Sequence, residues 1–315
     1  MKKEFDVVVA GELNVDIILN QINKFPELGK EVVADKMTVT VGSSSAIFAS
    51  NLSVLGTNVA FVGTMARDSF GQFMLARLQE KKVNTDHIVF TKEKSTGATV
   101  ALSFDEDRAM VTYPGAMSLF QITHIPDTLF HRARHLHVSS IFLSTGLKKD
   151  IYKLFQKAKS SGMTTSLDPQ WDPDERWDID FKKLLEVVDV FIPNENELRA
   201  ITGMDDIRSA VSQLRAEANI VVVKSGRDGA FLWKGELFIH QPAFLNDNVV
   251  DTIGAGDSFG AGFIHQFIQG KTMEECLEFA TLIGAINTTR AGGTTAFQNL
   301  SEVKAIAELT FNQKI

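Results

Sequence analysis

The stretch Asp251-Thr252-Ile253-Gly254-Ala255-Gly256-Asp257-Ser258-Phe259-Gly260-Ala261-Gly262 decides how the rest of this chain is read. Gly254, Ala255 and Gly256 lead into an apolar segment in which Phe259, Phe263 and Phe267 recur at i,i+4 spacing, the pattern of a helix. A glycine-rich turn entering a helix leaves several backbone N–H groups without intrahelical partners, at the positive end of the dipole. Such a turn suits a phosphate. Asp257 falls in the first helical turn, in reach of a substrate hydroxyl and a phosphoryl group together. That points to phosphoryl transfer with Asp257 taking the hydroxyl proton. A plainer reading stays open on this segment alone: an N-capping aspartate on a helix that packs closely through its glycines. There is no G-x-x-x-x-G-K-[ST], and Gly254, Gly256 and Gly260 miss G-x-G-x-x-G by one place.

Outward from this segment, short apolar runs alternate with amphipathic ones. Phe5–Ala10, Val59–Val62, His135–Ser139, Thr164–Leu167, Val190–Pro193 and Ile220–Lys224 read as buried strands. Ser45–Leu55, Phe70–Lys81, Lys149–Ser161, Phe181–Val187, Glu195–Thr202, Ile207–Ala216, Gly256–Gln269, Met273–Arg290 and Ser301–Thr310 read as helices. The alternation predicts a doubly wound α/β fold, a mainly parallel sheet with helices on both faces. Two places break it. Asn14–Leu19 with Glu31–Val41, and Gly97–Phe104 with Met110–Tyr113, alternate apolar and polar residues like half-exposed antiparallel strands. They are expected to form one small β-sheet, a lid with strands within 12–41 and 97–114.

Composition narrows the function. Of 315 residues, 44% are hydrophobic and 23% charged, which excludes a disordered chain. The net charge of -7 argues against a nucleic-acid binder. One cysteine, Cys276, excludes an intramolecular disulfide framework and multi-cysteine metal sites. Glu4 and Asp6 interrupt a signal-peptide pattern, and no apolar run is long enough to span a membrane, so a cytoplasmic protein is expected.

Asp251–Asp257 resembles the signature D-T-x-G-A-G-D of the ribokinase-like (PfkB) carbohydrate kinases, and further motifs follow that family's order along nearly the whole chain. The resemblance implies one ribokinase-like domain over residues 1–315. It implies transfer of the γ-phosphate of ATP to a hydroxymethyl group of a sugar or nucleoside, with Mg2+. Asp257 would be the general base, and the Gly254, Ala255 and Gly256 amides would stabilise the transferring group. A non-catalytic sugar- or nucleotide-binding regulator on this fold is the other class left open.

The same resemblance assigns the remaining pieces. Asp16 matches the family's sugar-binding aspartate, with Asn14 beside it; a polar strand edge is the alternative. Gly42-Ser43-Ser44-Ser45-Ala46-Ile47 stands where relatives have G-G-x-x-x-N. Ile47 loses the asparagine contact, which Ser43–Ser45 could replace, or the serines simply cap a helix. Asn51, one turn beyond Ile47, is set aside as a contact. In Gly63–Gly71, Asp68 is better read as a helix cap. Arg108 in the lid would meet an anionic substrate or a phosphate, or is an exposed hairpin residue. Asp168 would reach the substrate, in D-P-Q where relatives have D-x-N, so Gln170 departs from the pattern.

Asn194-x-x-Glu197 matches the N-x-x-E that organises magnesium and phosphates through water. Lys224, Ser225, Gly226 and Gly229 match a nucleotide-contacting turn, and Asn287 belongs with 291–294 to a region flanking adenine. Asp251 and Ile253 would stand on a monovalent cation site, K+ in type. His131, His135 and His137 have spacings that suggest zinc, but they straddle a helix end and a strand and are read as structural. Exposed lid strands could pair two copies into a homodimer.

Overall fold

Runs such as Val7–Ala10 and Ile220–Val223 have no polar face, so they can only be interior strands with apolar layers on both sides. The computed structural model, which describes residues 3–22, 24–104, 107–214 and 217–315, shows this. An eight-stranded sheet runs Leu237–Gln241, Ala230–Lys234, Ile220–Lys224, Val190–Phe191, Thr164–Asp168, Ala133–Ser139, Phe5–Ala10, Val59–Val62. The last six strands are mutually parallel. Alternate residues of one strand enter different cores: Val8 and Ala10 join Leu136, Phe155 and Phe191, while Val7 and Val9 join Phe48, Phe61 and Phe263. The fold is the expected α/β class, with helices on both faces.

The structure differs from the sequence reading in informative places. Ala230–Lys234 and Leu237–Gln241 add an antiparallel hairpin at one edge, which makes the sheet mixed. Its signal, two aromatic-rich runs around Gly235, was present in the sequence but hidden by the βα rhythm. The helix expected at Lys149–Ser161 is found at Ile151–Ser160, and a further short helix, Thr145–Lys148, precedes it. In the helix read as Ile207–Ala216, residues 215 and 216 lie outside the described part.

The small sheet exists, ordered Ala34–Val41, Asn14–Ile22, Gly97–Phe104, Asp107–Tyr113. Its outer pairs are antiparallel, but its central pair, Asn14–Ile22 with Gly97–Phe104, is parallel. The all-antiparallel expectation is corrected because two separate hairpins lie side by side in the same sense. One face carries Asp16, Thr40, Thr99 and Thr112 in register. Ile18 and Ala101 of that face pack on Ile253 and so seat the sheet over the glycine turn. The other face exposes Met37, Val39, Val111 and Tyr113.

Candidate active site

The carboxyl ends of the parallel strands gather the polar residues, as expected for an open α/β sheet. The glycine turn opens the helix Ala255–Phe267, with Gly254 at φ 77. A Cβ on Gly254 would lie 2.5 Å from the Gly293 Cα, so only glycine fits. Asp257 is buried in the first turn. The Ala255 amide is already donated to the Thr252 carbonyl at 3.2 Å, so the cradle expected of three amides rests on its glycines.

A polar network behind the turn holds it. Asn51 Nδ2 donates to Ser258 Oγ and to the Gly293 carbonyl, both at 2.9 Å. Ser258 Oγ donates to Asn287 Oδ1, and Asn287 Nδ2 to the Ile253 carbonyl at 2.6 Å. Asp251 accepts the amides of Ile253 and Gly292 at 2.9 and 2.8 Å. Asn51 and Asn287 therefore face the turn from behind, and Asn287, expected from the resemblance to flank adenine, is not on the wall of the apolar cavity beside the turn. Ile47 is buried against Gly254 and Gly293 and faces the turn too.

Beside the turn, Lys224 is nearly buried and paired with Asp168. A Cβ on Gly256 would lie 3.5 Å from Lys224 Nζ, which brings the ammonium to the cradle. Burial alone would lower Lys224, but Asp168, Glu197 and Asp257 together hold it above its ordinary value. Asn194 and Glu197 form a capping box: Glu197 accepts the Asn194 amide N–H at 2.8 Å and Nδ2 at 2.6 Å. Burial lifts the Glu197 carboxyl to about 7, against the pull of Lys224. Lys224, Gly226, Gly229, Ala255 and Gly256 line an apolar cavity of about 290 Å³ whose other walls include Phe244, Leu245 and Ala285. Ser225 is not on its wall.

On the opposite side, Asn14 Nδ2 bridges Asp16 Oδ1 at 3.2 Å and Thr99 Oγ1 at 3.1 Å. A Cβ on Gly42 would lie 2.2 Å from Asp16 Oδ1, so a larger residue there would push the Asp16 side chain aside. Ser43, at φ 68, caps the helix Ser44–Val54 and donates to the Glu12 carbonyl at 2.5 Å. Ser45 is bound to the Glu12 carboxyl and to Ser139 Oγ. Of the three serines only Ser44 is part-exposed. Arg108 lies in the strand Asp107–Tyr113, its side chain outside the described part.

Two residues that sequence reasoning did not place here matter. Glu12 is buried beneath the serine turn, and burial raises its carboxyl to about 7 despite the Ser45 hydrogen bonds. Its only sequence signal was a charged residue after a buried strand. Gln170, noted only as a departure, donates from Nε2 to Asp257 Oδ1 at 3.0 Å. His135 and His137 share the Ser166 hydroxyl on one strand face at 2.7 Å each, and burial pushes His135 down to about 3. Among the described residues no cluster of His, Cys, Asp and Glu could cage a metal.

Comparison with known proteins agrees with this fold. The profile described as pfkB family carbohydrate kinase matches residues 4–300. An ATP-dependent 6-phosphofructokinase of Thermoanaerobacterium thermosaccharolyticum is 26% identical over 314 residues, 98% of this chain and 95% of its own. A 5-dehydro-2-deoxygluconokinase of Geobacillus thermodenitrificans is 26% identical over 323 residues, 96% and 93%. Among solved structures, Arabidopsis thaliana ribokinase complexed with ribose and ATP matches with a TM-score of 0.83 at 24% identity, covering 98% of this chain and 100% of that one.

Proposed function

Since the chain belongs to the pfkB family of carbohydrate kinases, and so is a phosphotransferase with a hydroxyl acceptor, we propose that it moves the γ-phosphate of ATP to a hydroxymethyl group of a small carbohydrate, with Asp257 as general base. The observation that carries this reading is a meeting of three groups, of which Lys224 and Gly256 also line the apolar cavity. They are a carboxylate (Asp257), a glycine turn at a helix N-terminus and a buried ammonium (Lys224). The cavity takes the adenine. Gly254 and Gly256 with Lys224 receive the charge that spreads over the phosphoryl oxygens. Asp16 and Ser44 orient the acceptor hydroxyls. Asp257 takes the proton of the reacting hydroxyl, that oxygen bonds to the γ-phosphorus, and the bond to the β-phosphate oxygen breaks to release ADP. The small sheet closes over the acceptor and excludes water, which would otherwise compete for the phosphoryl group.

Magnesium fits the donor set in one manner. Both Glu197 oxygens already hold Asn194, so Glu197 suits the water shell of an ion that retains most of its waters and takes phosphate oxygens as ligands. When bound, the ion neutralises phosphate charge. Asp251 and Ile253 keep lone pairs on one loop, so potassium is part of the test. The exposed apolar face of the small sheet supports a homodimer through the lid. The family and the single free cysteine, Cys276, support a cytoplasmic location.

Two relatives of equal identity phosphorylate different acceptors by name, so identity does not choose the substrate. The test is ATP consumption with Mg2+, with and without K+, across ketoses, aldoses, sugar acids, sugar phosphates and nucleosides. One class should turn over, and Asp257→Asn should lose roughly 10²–10⁴-fold in kcat while still binding ATP. Unchanged turnover in that variant removes Asp257 as base. Binding without turnover across the panel favours the regulator.

A further inference from the structure

We propose that Gln170 is a positioning residue for the reaction: its side-chain amide holds the Asp257 carboxylate in the orientation from which it takes the acceptor proton. This rests on the reading of Asp257 as base. The contact is direct, Gln170 Nε2 to Asp257 Oδ1 at 3.0 Å, between residues 87 apart in the chain. A carboxylate at a helix N-terminus can turn about its Cβ–Cγ bond. A donor fixed on one oxygen sets the plane of the group, so no reorganisation is needed when the hydroxyl arrives.

The backbone strengthens the argument. Gln170 sits at φ 58, in the left-handed region that favours glycine. A non-glycine residue held there is strained, and such strain persists where the surroundings over-determine it. Here they do so from both sides. Asp168, two residues earlier, is buried and paired with Lys224. Pro169 restricts φ between them. On the far side the buried Asp172 carboxylate accepts the amides of Asp174, Arg176 and Trp177 at 3.0, 3.0 and 2.7 Å. Trp171 packs edge-on to Trp177 at 5.3 Å, and Trp177 edge-on to Phe142 at 5.2 Å. The segment therefore presents the Gln170 amide from a clamped backbone. A turn needing only its shape would be better served by glycine. This one carries a side chain long enough to reach Asp257.

The experiment compares the full-length protein with Gln170→Leu, Gln170→Gly, Asp257→Asn and the Gln170→Leu/Asp257→Asn double variant. Turnover is measured with ATP and Mg2+ on ribose, fructose 6-phosphate and 5-dehydro-2-deoxygluconate. ATP binding is followed by calorimetry and unfolding by urea. We expect both single Gln170 variants to lose roughly ten- to hundredfold in kcat, the range of one hydrogen bond to a charged group. The KM for ATP should stay within about twofold. Gln170→Gly should unfold no more easily than the parent, since it relieves the strained φ. The double variant should be no slower than Asp257→Asn, and the two substitutions should be non-additive in unfolding, a readout that needs no acceptor.

Parental kcat in Gln170→Gly would overturn the proposal, because the turn then needs no side chain. Additive unfolding effects, or a double variant slower by the product of the two losses, would overturn it too. Parental turnover in Asp257→Asn would instead remove the base, and the positioning role with it.

Discussion

The glycine turn at 251–257 and the serine turn at 42–45 both open a buried helix onto the same site, yet they are built in opposite ways. The glycine turn offers backbone to the site and keeps its side-chain chemistry behind it, in Asn51, Ser258 and Asn287. The serine turn binds two of its hydroxyls inward, Ser43 to the Glu12 carbonyl and Ser45 to the Glu12 carboxyl, and leaves Ser44 part-exposed. A backbone cradle suits a phosphate, and the phosphoryl donor is the same whatever the acceptor. A side-chain turn can change with the acceptor. On the proposed reaction, the chemistry common to every acceptor and the chemistry that varies with it sit on two helix starts.

The largest way to break this contrast is Gly254→Ala. With φ 77 and a Cβ 2.5 Å from Gly293, the turn must shift, and kcat should fall roughly 10²–10³-fold, the cost of losing an oxyanion donor. Steady-state kinetics at saturating ATP reads it; a mild change would show that the backbone is not the cradle.

Glu12→Gln tests the other turn through pH. The folded Glu12 holds its proton up to about 7, whereas the unfolded group ionises near 4.5. Between those values the folded state binds more protons, so this group makes stability fall as pH rises through that window and flatten above it. Glutamine removes its share of the slope, about 3 kcal/mol by order of magnitude. Urea unfolding at pH 5 and pH 8 should show the variant gaining on the parent at the higher pH. Glu197, lifted to about 7 as well, keeps part of the slope. An unaltered pH dependence would mean that Glu12 is ionised in the folded protein.

Gly42→Ala sharpens the contrast at lower amplitude. Its Cβ would displace Asp16, so the acceptor KM should rise roughly tenfold while the ATP KM holds. Movement of the ATP KM instead would show that the two turns are not separate in function. Smallest of all in turnover is Val111→Lys on the exposed face of the small sheet, which should halve the mass in sedimentation and leave kcat nearly unchanged; a parent that already sediments as a monomer removes the lid dimer.

Much of the site was legible because its parts are local. Small residues before an apolar helix mark a turn that opens a helix, and Asp257 falls in its first turn. Asn194 and Glu197 were paired by a three-residue spacing, and they do meet. What was illegible is what turns on the direction of a buried side chain. Ile47 read as a lost sugar contact, but it packs behind Gly254 and Gly293. Asn51 was set aside as a contact, yet it ties Ser258 to the Gly293 carbonyl. His135 and His137, read as structural, share one hydroxyl because alternate residues of a strand point the same way.

The sequence alone determined the strand and helix rhythm, the two-faced sheet and the place of the glycine turn. Periodicity, small residues and capping act between near neighbours, so a linear string carries them. Only the tertiary structure decided that Gln170 meets Asp257, that Lys224 meets Asp168 and that Asn51 meets Gly293. These partners are 87, 56 and 242 residues apart, and a buried polar group takes whichever donor or acceptor the packing brings within hydrogen-bond reach.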